Sequence, residues 1–198
     1  MSCSRIALPF AIVGALLLLS ACDREGAAPE FQYALLADPP TSVPEFELID
    51  QHEAPFSRAD LLGRWTLLFS GFTHCPDICP ATLGILRAAQ SDLEPRDDLQ
   101  TVFVTVDPAR DTSAEMAEYL AWFDEDWIGL TGTPQELDRL LDPLQMAYVR
   151  VPTGGGDYTM DHASAVALID PQGRVTAWWR APIVAADLAA DLRGLPVP

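Results

Sequence analysis

Three features of the 198-residue chain predict an α/β fold with a central mixed sheet flanked by helices. Trp65–Phe69 and Thr101–Val106 are apolar runs of strand length, the second rich in β-branched residues. Leu86, Ala89 and Leu93 recur between them at helical spacing. A strand, a helix and a strand within about forty residues form a βαβ unit, which implies a parallel pair. Farther on, Ala163–Ile169 and Arg174–Trp179 flank a Pro171-Gln172-Gly173 turn, which predicts an antiparallel hairpin.

In chain order, residues 1–21 read as a leader, separate from the fold. Arg5 is the only charge before the apolar run Ile6–Leu19, whose length suits a signal-peptide core better than a membrane span. The run ends in Leu19-Ser20-Ala21-Cys22, which resembles a bacterial lipobox, so cleavage ahead of Cys22 would leave that cysteine carrying a lipid. A plain secretory signal or an uncleaved N-terminal anchor also fits the run. Asp23 resembles an inner-membrane retention signal, and the expected location is the periplasmic face of a bacterial inner membrane. Residues 22–42, with Pro29, Pro39 and Pro40 and no clear period, read as the lipidated cysteine and a flexible tether. Residues 43–198 read as one domain without internal repeats.

Within that domain two helices announce their starts. Thr112-Ser113-Ala114-Glu115 is a capping box ahead of Met116, Leu120 and Phe123. Thr133-Pro134-Gln135-Glu136 repeats the device, with proline at the first helical position, ahead of Leu137, Leu140, Leu141 and Leu144. After the hairpin, a last helix is expected from Ile183 to Leu192. The order β-α-β-α-(α)-β-β-α, with a cysteine pair at its first strand–helix turn, describes a thioredoxin-like fold with an inserted segment.

At 49% hydrophobic and 21% charged, the chain can bury a core without disulfides. Its formal net charge is -17, and every cation is an arginine. Such a surface repels phosphate backbones, which argues against nucleic acid as a partner, and suits a cation or a basic face. Cys3 leaves with the leader and Cys22 takes the lipid, so the mature domain keeps Cys75 and Cys79 as its thiols. In an oxidising compartment such a pair can also close as a structural disulfide.

The pair lies in Phe72-Thr73-His74-Cys75-Pro76-Asp77-Ile78-Cys79-Pro80, where a strand ends and a helix begins. Unpaired amides and the helix dipole stabilise a thiolate there, so both thiols are expected to be acidified. Thioredoxin-type dithiols have two intervening residues; this pair has three, which leaves room for a soft ion and still permits a disulfide. Two thiolates favour Cu(I) or Zn(II), and a histidine would add a third ligand. His52 reads as a solvated loop residue. His74 adjoins Cys75 but should face away from it, as neighbours on an extended chain do. His162 immediately precedes the Ala163–Ile169 strand, whose N-terminal loop faces the cysteine turn in this topology; a solvent-facing loop histidine is the alternative.

Three segments, Gly71–Pro80, Val106-Asp107-Pro108-Ala109-Arg110-Asp111-Thr112 and Tyr158-Thr159-Met160-Asp161-His162, resemble the signature segments of the SCO/SenC copper proteins. The resemblance covers residues 43 to 195. It implies a metallochaperone that binds one copper ion through Cys75, Cys79 and His162 and delivers it to the dinuclear centre of cytochrome c oxidase subunit II. A thiol–disulfide reductase keeping the oxidase cysteines reduced, with Cys75 and Cys79 as its redox pair, is the alternative. Asp77 and Asp161 are expected in an outer shell around the metal, and Asp107, Pro108, Arg110 and Asp111 as shapers of the adjacent loop. Thioredoxin-like oxidoreductases place a cis-proline just before the strand that starts here at Ala163, where this chain has Asp161-His162; the exchange favours metal binding. Handing copper over calls for a partly exposed site, and keeping the thiols reduced calls for a thiol reductant as a partner, beside a copper donor.

Overall fold

A computed structural model describes residues 29–198. The leader, the Cys22 lipidation site and Asp23 lie outside the described residues. The strands, in chain order, begin with β1 (Leu35–Ser42), β2 (Glu47–Ile49) and β3 (Pro55–Ser57), followed by a short 3-10 helix at Arg58–Leu61. Then come β4 (Trp65–Gly71), α1 (Ile78–Ser91), β5 (Leu99–Thr105), α2 (Ser113–Ala121), β6 (Ile128–Leu130) and α3 (Pro134–Leu141). The chain ends with β7 (Tyr148–Gly154), β8 (Asp157–His162), β9 (Val166–Ile169), β10 (Arg174–Trp179) and α4 (Ala185–Arg193).

The main sheet has the order β1-β10-β9-β4-β5-β6. β4, β5 and β6 run parallel, while β9 lies antiparallel to β4 and β10 antiparallel to β9. This is the mixed sheet flanked by helices that the sequence predicts, with the βαβ unit formed by β4, α1 and β5. Every residue of β4 is buried, because elements cover both faces of a central strand. The core centres on Phe69, Phe103, Leu67, Leu83, Leu86 and Leu168, all fully buried.

The predicted caps form, with one difference. Thr112 and Glu115 make the full capping box of α2. Thr133 caps α3 through its side chain, but the Glu136 carboxylate accepts the Glu47 backbone N–H at 2.9 Å and leaves Thr133 alone. Half of the device is diverted to tie β2 down.

The expected tether over 22–42 is ordered in its second half. Leu35–Ser42 pairs antiparallel with β10, across a register shift between Leu36 and Thr41. What holds it is the buried Asp191 of α4. Its carboxylate accepts the backbone N–H groups of Gln32 at 2.7 Å and Ala34 at 3.0 Å, and that of Tyr33 at 3.1 Å. Trp179 Nε1 donates to the same carboxylate, and Phe31 packs edge-on to the Trp179 ring. The strand is almost wholly exposed and carries two prolines, which an edge strand tolerates. Its residues therefore show no alternation.

A second difference is the β7–β8 hairpin. Its strands pair from Tyr148↔His162 to Gly154↔Asp157, and its tip is Gly154, Gly155 and Gly156, all at positive φ, where a side chain would be strained. No helix among the described residues is long and apolar enough to cross a membrane.

Candidate metal centre

The site lies where β4 ends and α1 begins. The turn after Gly71 is pinned by Val106 N–H donating to Gly71 O and by Cys75 N–H donating to Phe72 O. Cys79 then falls in the first turn of α1, and its backbone N–H donates to Cys75 Sγ at 3.4 Å. Both thiols are free. The third member comes from the hairpin: His162 is the last residue of β8, so the expected loop histidine is held by strand pairing to Tyr148.

The ligand atoms of Cys75, Cys79 and His162 all lie within 4.8 Å of one another. His162 Nε2 is 3.3 Å from Cys79 Sγ, and Nδ1 is 2.9 Å from the Ala163 carbonyl oxygen. A carbonyl only accepts, so Nδ1 carries the hydrogen and the Nε2 lone pair faces the sulfur. This backbone bond orients the ring as ligand-holding contacts do at metal sites. Phe69 and Phe72 meet the ring edge-on, with centroids at 6.0 and 5.9 Å, and leave it little freedom to turn.

Burial dominates the electrostatics. It pushes the Cys79 thiol pKa well up, with smaller pushes from the Cys75 thiol and the Asp111 carboxylate, against one backbone hydrogen bond from Phe72. The acidification expected from the helix N-terminus is thus overturned at Cys79, because removal from water outweighs the dipole. Burial also lowers the His162 pKa, against smaller upward pulls from the Ala163 carbonyl and Asp161, which keeps the imidazole neutral. A neutral imidazole beside two thiols is a soft donor set that takes a soft cation by releasing protons.

The expected exposure is met only in part. Cys79 is fully buried and Cys75 is 9% exposed, while His162 is half-buried. Gly71 makes room on the inner side: a Cβ there would stand 2.9 Å from both Cys79 Sγ and Phe103 Cε2.

Among the other residues singled out by sequence, His52 and His74 are exposed and outside the cluster. His74 Nδ1 lies 3.1 Å from Thr73 Oγ1 and 3.7 Å from Asp111 Oδ1. Asp77 occupies the N-cap of α1 without a side-chain capping bond. Asp77 and Asp161 are both exposed, and among the described residues neither carboxylate is hydrogen-bonded to Cys75, Cys79 or His162. Asp111, whose carboxylate adds to the upward push on Cys79, is fully buried and accepts from Thr73 and from Thr105 Oγ1 at 2.6 Å. Arg110 bonds Asp107, donates to the Tyr158 carbonyl at 3.2 Å, and stacks on the Tyr158 ring at 3.8 Å. The loop after β5 therefore shapes the site, as the sequence suggests, and Tyr158 joins it.

A SCO1/SenC family profile matches residues 36–195. A protein of Stutzerimonas stutzeri named for copper binding is 43% identical over 144 residues, 72% of this chain and 71% of its own. The copper-bound ScoI of Bradyrhizobium japonicum superposes with a TM-score of 0.70 at 36% identity, covering 78% of this chain and 100% of that one. Copper-bound yeast Sco1 gives a TM-score of 0.71 at 31% identity over 78% of this chain and 87% of its own. The fold is that of the Sco structures, a thioredoxin-like family. With the profile spanning nearly all of the described domain, the chain belongs to the SCO1/SenC family.

Proposed function

We propose that this protein binds one copper ion through Cys75, Cys79 and His162 and delivers it to the dinuclear copper centre of cytochrome c oxidase subunit II. The observation that carries the binding step is the convergence of two free thiols and an imidazole of fixed tautomer within 4.8 Å. The copper-bound relatives support the choice of ion, and the resemblance of the three signature segments supports the recipient.

Binding of Cu(I) replaces the Cys75 and Cys79 thiol protons, so two protons leave as the ion arrives, and the Nε2 lone pair completes a trigonal set. Release proceeds by ligand exchange, with incoming thiolates of the recipient displacing these ligands in turn. Loss of two electrons from the pair would join the sulfurs as a disulfide and leave the ion only His162, so a thiol reductant is needed to reset the site. Asp77 and Asp161 take outer positions around the loaded site. Lipidation of Cys22, and with it a seat on the periplasmic face of the inner membrane, belongs to the same reading and rests on the lipobox pattern.

The nearness of two free thiols also favours a second reading, reduction of the oxidase cysteines by disulfide exchange without metal. His162 separates the two. The test loads the reduced protein with Cu(I) and with Cu(II) and compares His162→Ala and Cys75→Ser with the parent. Loss of copper in both variants is expected. Undiminished affinity in His162→Ala sinks the three-ligand site, and a variant that loses copper yet still restores oxidase assembly in cells transfers the function to disulfide exchange.

A further inference from the structure

β10 finishes with Trp179 paired to Val166, and Val166 pairs in turn with Phe69 near the end of β4. The segment that follows β10, Arg180–Ala181, and the one that precedes β9, Ala163–Ala165, therefore lie at the end of the sheet that carries Cys75 and Cys79. Both line a cavity of about 350 Å³. The side chains of Ala163, Ala165 and Ala181 are too small to fill it. Trp178 forms a wall, held by its indole N–H, which donates to the Leu144 carbonyl at 2.8 Å. Ala163 belongs to both places, because it lines the cavity and its carbonyl orients the His162 ring.

Polar groups on this lining stand without partners. Among the described residues the backbone N–H and C=O of Ser164 make no hydrogen bond, since the ladders to β4 and β10 begin only at Val166. The Arg180 guanidinium, also on the lining, is exposed and enters no ion pair or hydrogen bond among the described residues. An apolar wall with a few converging polar groups is the make-up of a binding site. Each group states part of the occupant's chemistry. Free backbone groups just before a strand accept an added extended segment. A planar guanidinium takes a carboxylate through two parallel bonds. With a formal net charge of -17, the surface as a whole repels an acidic chain, so an unpaired guanidinium fixes where such a chain lands.

We propose that this cavity docks the protein that receives copper, which lays an extended segment along Ser164 and turns a carboxylate onto Arg180. The assignment deepens the delivery reading above and rests on it. A segment seated two residues from His162 holds the recipient against the imidazole side of the site.

The test uses the copper-loaded protein and, as probe, the soluble copper domain of cytochrome c oxidase subunit II, reduced and metal-free. Arg180→Glu reverses the charge at the cavity. Arg64→Glu makes the same change at an exposed arginine just before β4 begins, at the opposite end of the sheet. Arg180→Glu should keep the parent's copper affinity and melting temperature. Its complex with the probe should weaken at least roughly tenfold, the worth of one hydrogen bond to a charged group, and copper transfer at limiting probe should slow with it. Arg180→Lys, a cation without the fork, should fall between the two. Amide exchange at Ser164 should slow when the probe is added. A parent-like complex in Arg180→Glu overturns the assignment. So does equal weakening in Arg64→Glu, which would leave only overall charge at work. Slowed exchange at Ser164 on raising the protein concentration without probe overturns it too, because the cavity would then be a contact between copies of this chain. A parent protein that binds copper yet passes none to the probe overturns the delivery reading and this assignment together, and is told apart by appearing without any substitution.

Discussion

Asp111 holds Thr73 twice, accepting its backbone N–H at 3.0 Å and its hydroxyl at 2.6 Å. Thr73 stands two residues before Cys75, on the turn that presents both thiols. One residue before Asp111, Arg110 grips Tyr158 on the strand that ends in His162. A single loop thus ties the thiol turn to the imidazole hairpin, and the spacing between the two halves of the site is set by residues outside the Cys75, Cys79 and His162 cluster.

Asp111→Ala leaves Thr73 N–H, Thr73 Oγ1 and Thr105 Oγ1 without their shared acceptor in a buried place. A loss of about 3 kcal/mol in unfolding free energy is expected, from several buried donors left unsatisfied. Urea unfolding measures it, and a change under about 1 kcal/mol would mean the loop does not brace the turn.

Tyr158→Ala removes the ring that Arg110 and Arg150 cover from 3.8 and 3.6 Å, and the hydroxyl that donates to Asp107 at 2.8 Å. The hairpin is largely exposed, so global stability should fall little. Amide exchange along β8 should accelerate and copper affinity should drop, although Tyr158 is not a ligand. Unchanged exchange at Met160 and His162 would refute the clamp.

Gly71→Ala places a methyl 2.9 Å from Cys79 Sγ and Phe103 Cε2, both in the packed interior. Overpacking of this kind costs about 1–3 kcal/mol, and here it also pushes the Cys79 sulfur off its position. Gly84→Ala is the control: nothing lies within 4 Å of its added methyl, and alanine favours a helix interior over glycine by up to about 1 kcal/mol. Thermal melts and copper titrations of the pair should diverge in opposite directions; a shared response would mean that Gly71 has no special relation to the sulfur.

The pH dependence of the metal-free protein follows from two shifts of opposite sign. Burial lowers the His162 pKa below its ordinary 6.5, so the folded state binds fewer protons than the unfolded one near that pH. Its contribution is present above pH 6.5 and is lost as pH falls toward the lowered folded value. Burial raises the Cys79 pKa above its ordinary 9.0, so that contribution is present below pH 9.0 and is lost as pH rises beyond it. Stability from these two groups should therefore plateau between these limits. His162→Phe should flatten the acid side and Cys79→Ala the alkaline side, and urea midpoints across pH check both. Midpoints of the two variants that fall off like the parent's would show that other groups set the limits.

Most of the sheet was legible because its strands are buried and say so. Trp65–Phe69 and Thr101–Val106 are apolar runs with β-branched residues, and the capping threonines 112 and 133 mark helices that form where expected. Exposed ribbons were not legible. Leu35–Ser42 and β7 face solvent on nearly every residue and β8 is half-buried along most of its length, so no periodicity reports them, and their order comes from remote partners such as Asp191 and Arg110. Cys75 and Cys79 could be placed from their strand–helix turn. His162 needed the resemblance, because its neighbours in sequence do not reveal that Tyr148 pairs with it. The misjudged Cys79 acidity has a simple cause: sequence shows the helix start, while the depth of burial belongs to the assembled fold.

The hold of Asp191 on residues 32–34 also fixes the end of the domain from which the chain enters. Glu30 passes beside Gly194, near the pole where β4 begins and where Trp65 Nε1 donates to the Pro196 carbonyl. The thiols lie beyond the other end of β4, whose seven residues span about 23 Å. An anchor at Cys22 would then hold the molecule by its far pole and aim the thiols outward, toward whatever domain stands above the bilayer. Tension on such an anchor, if Cys22 carries the lipid proposed above, would fall first on the amide grip of Asp191, well away from Cys75, Cys79 and His162.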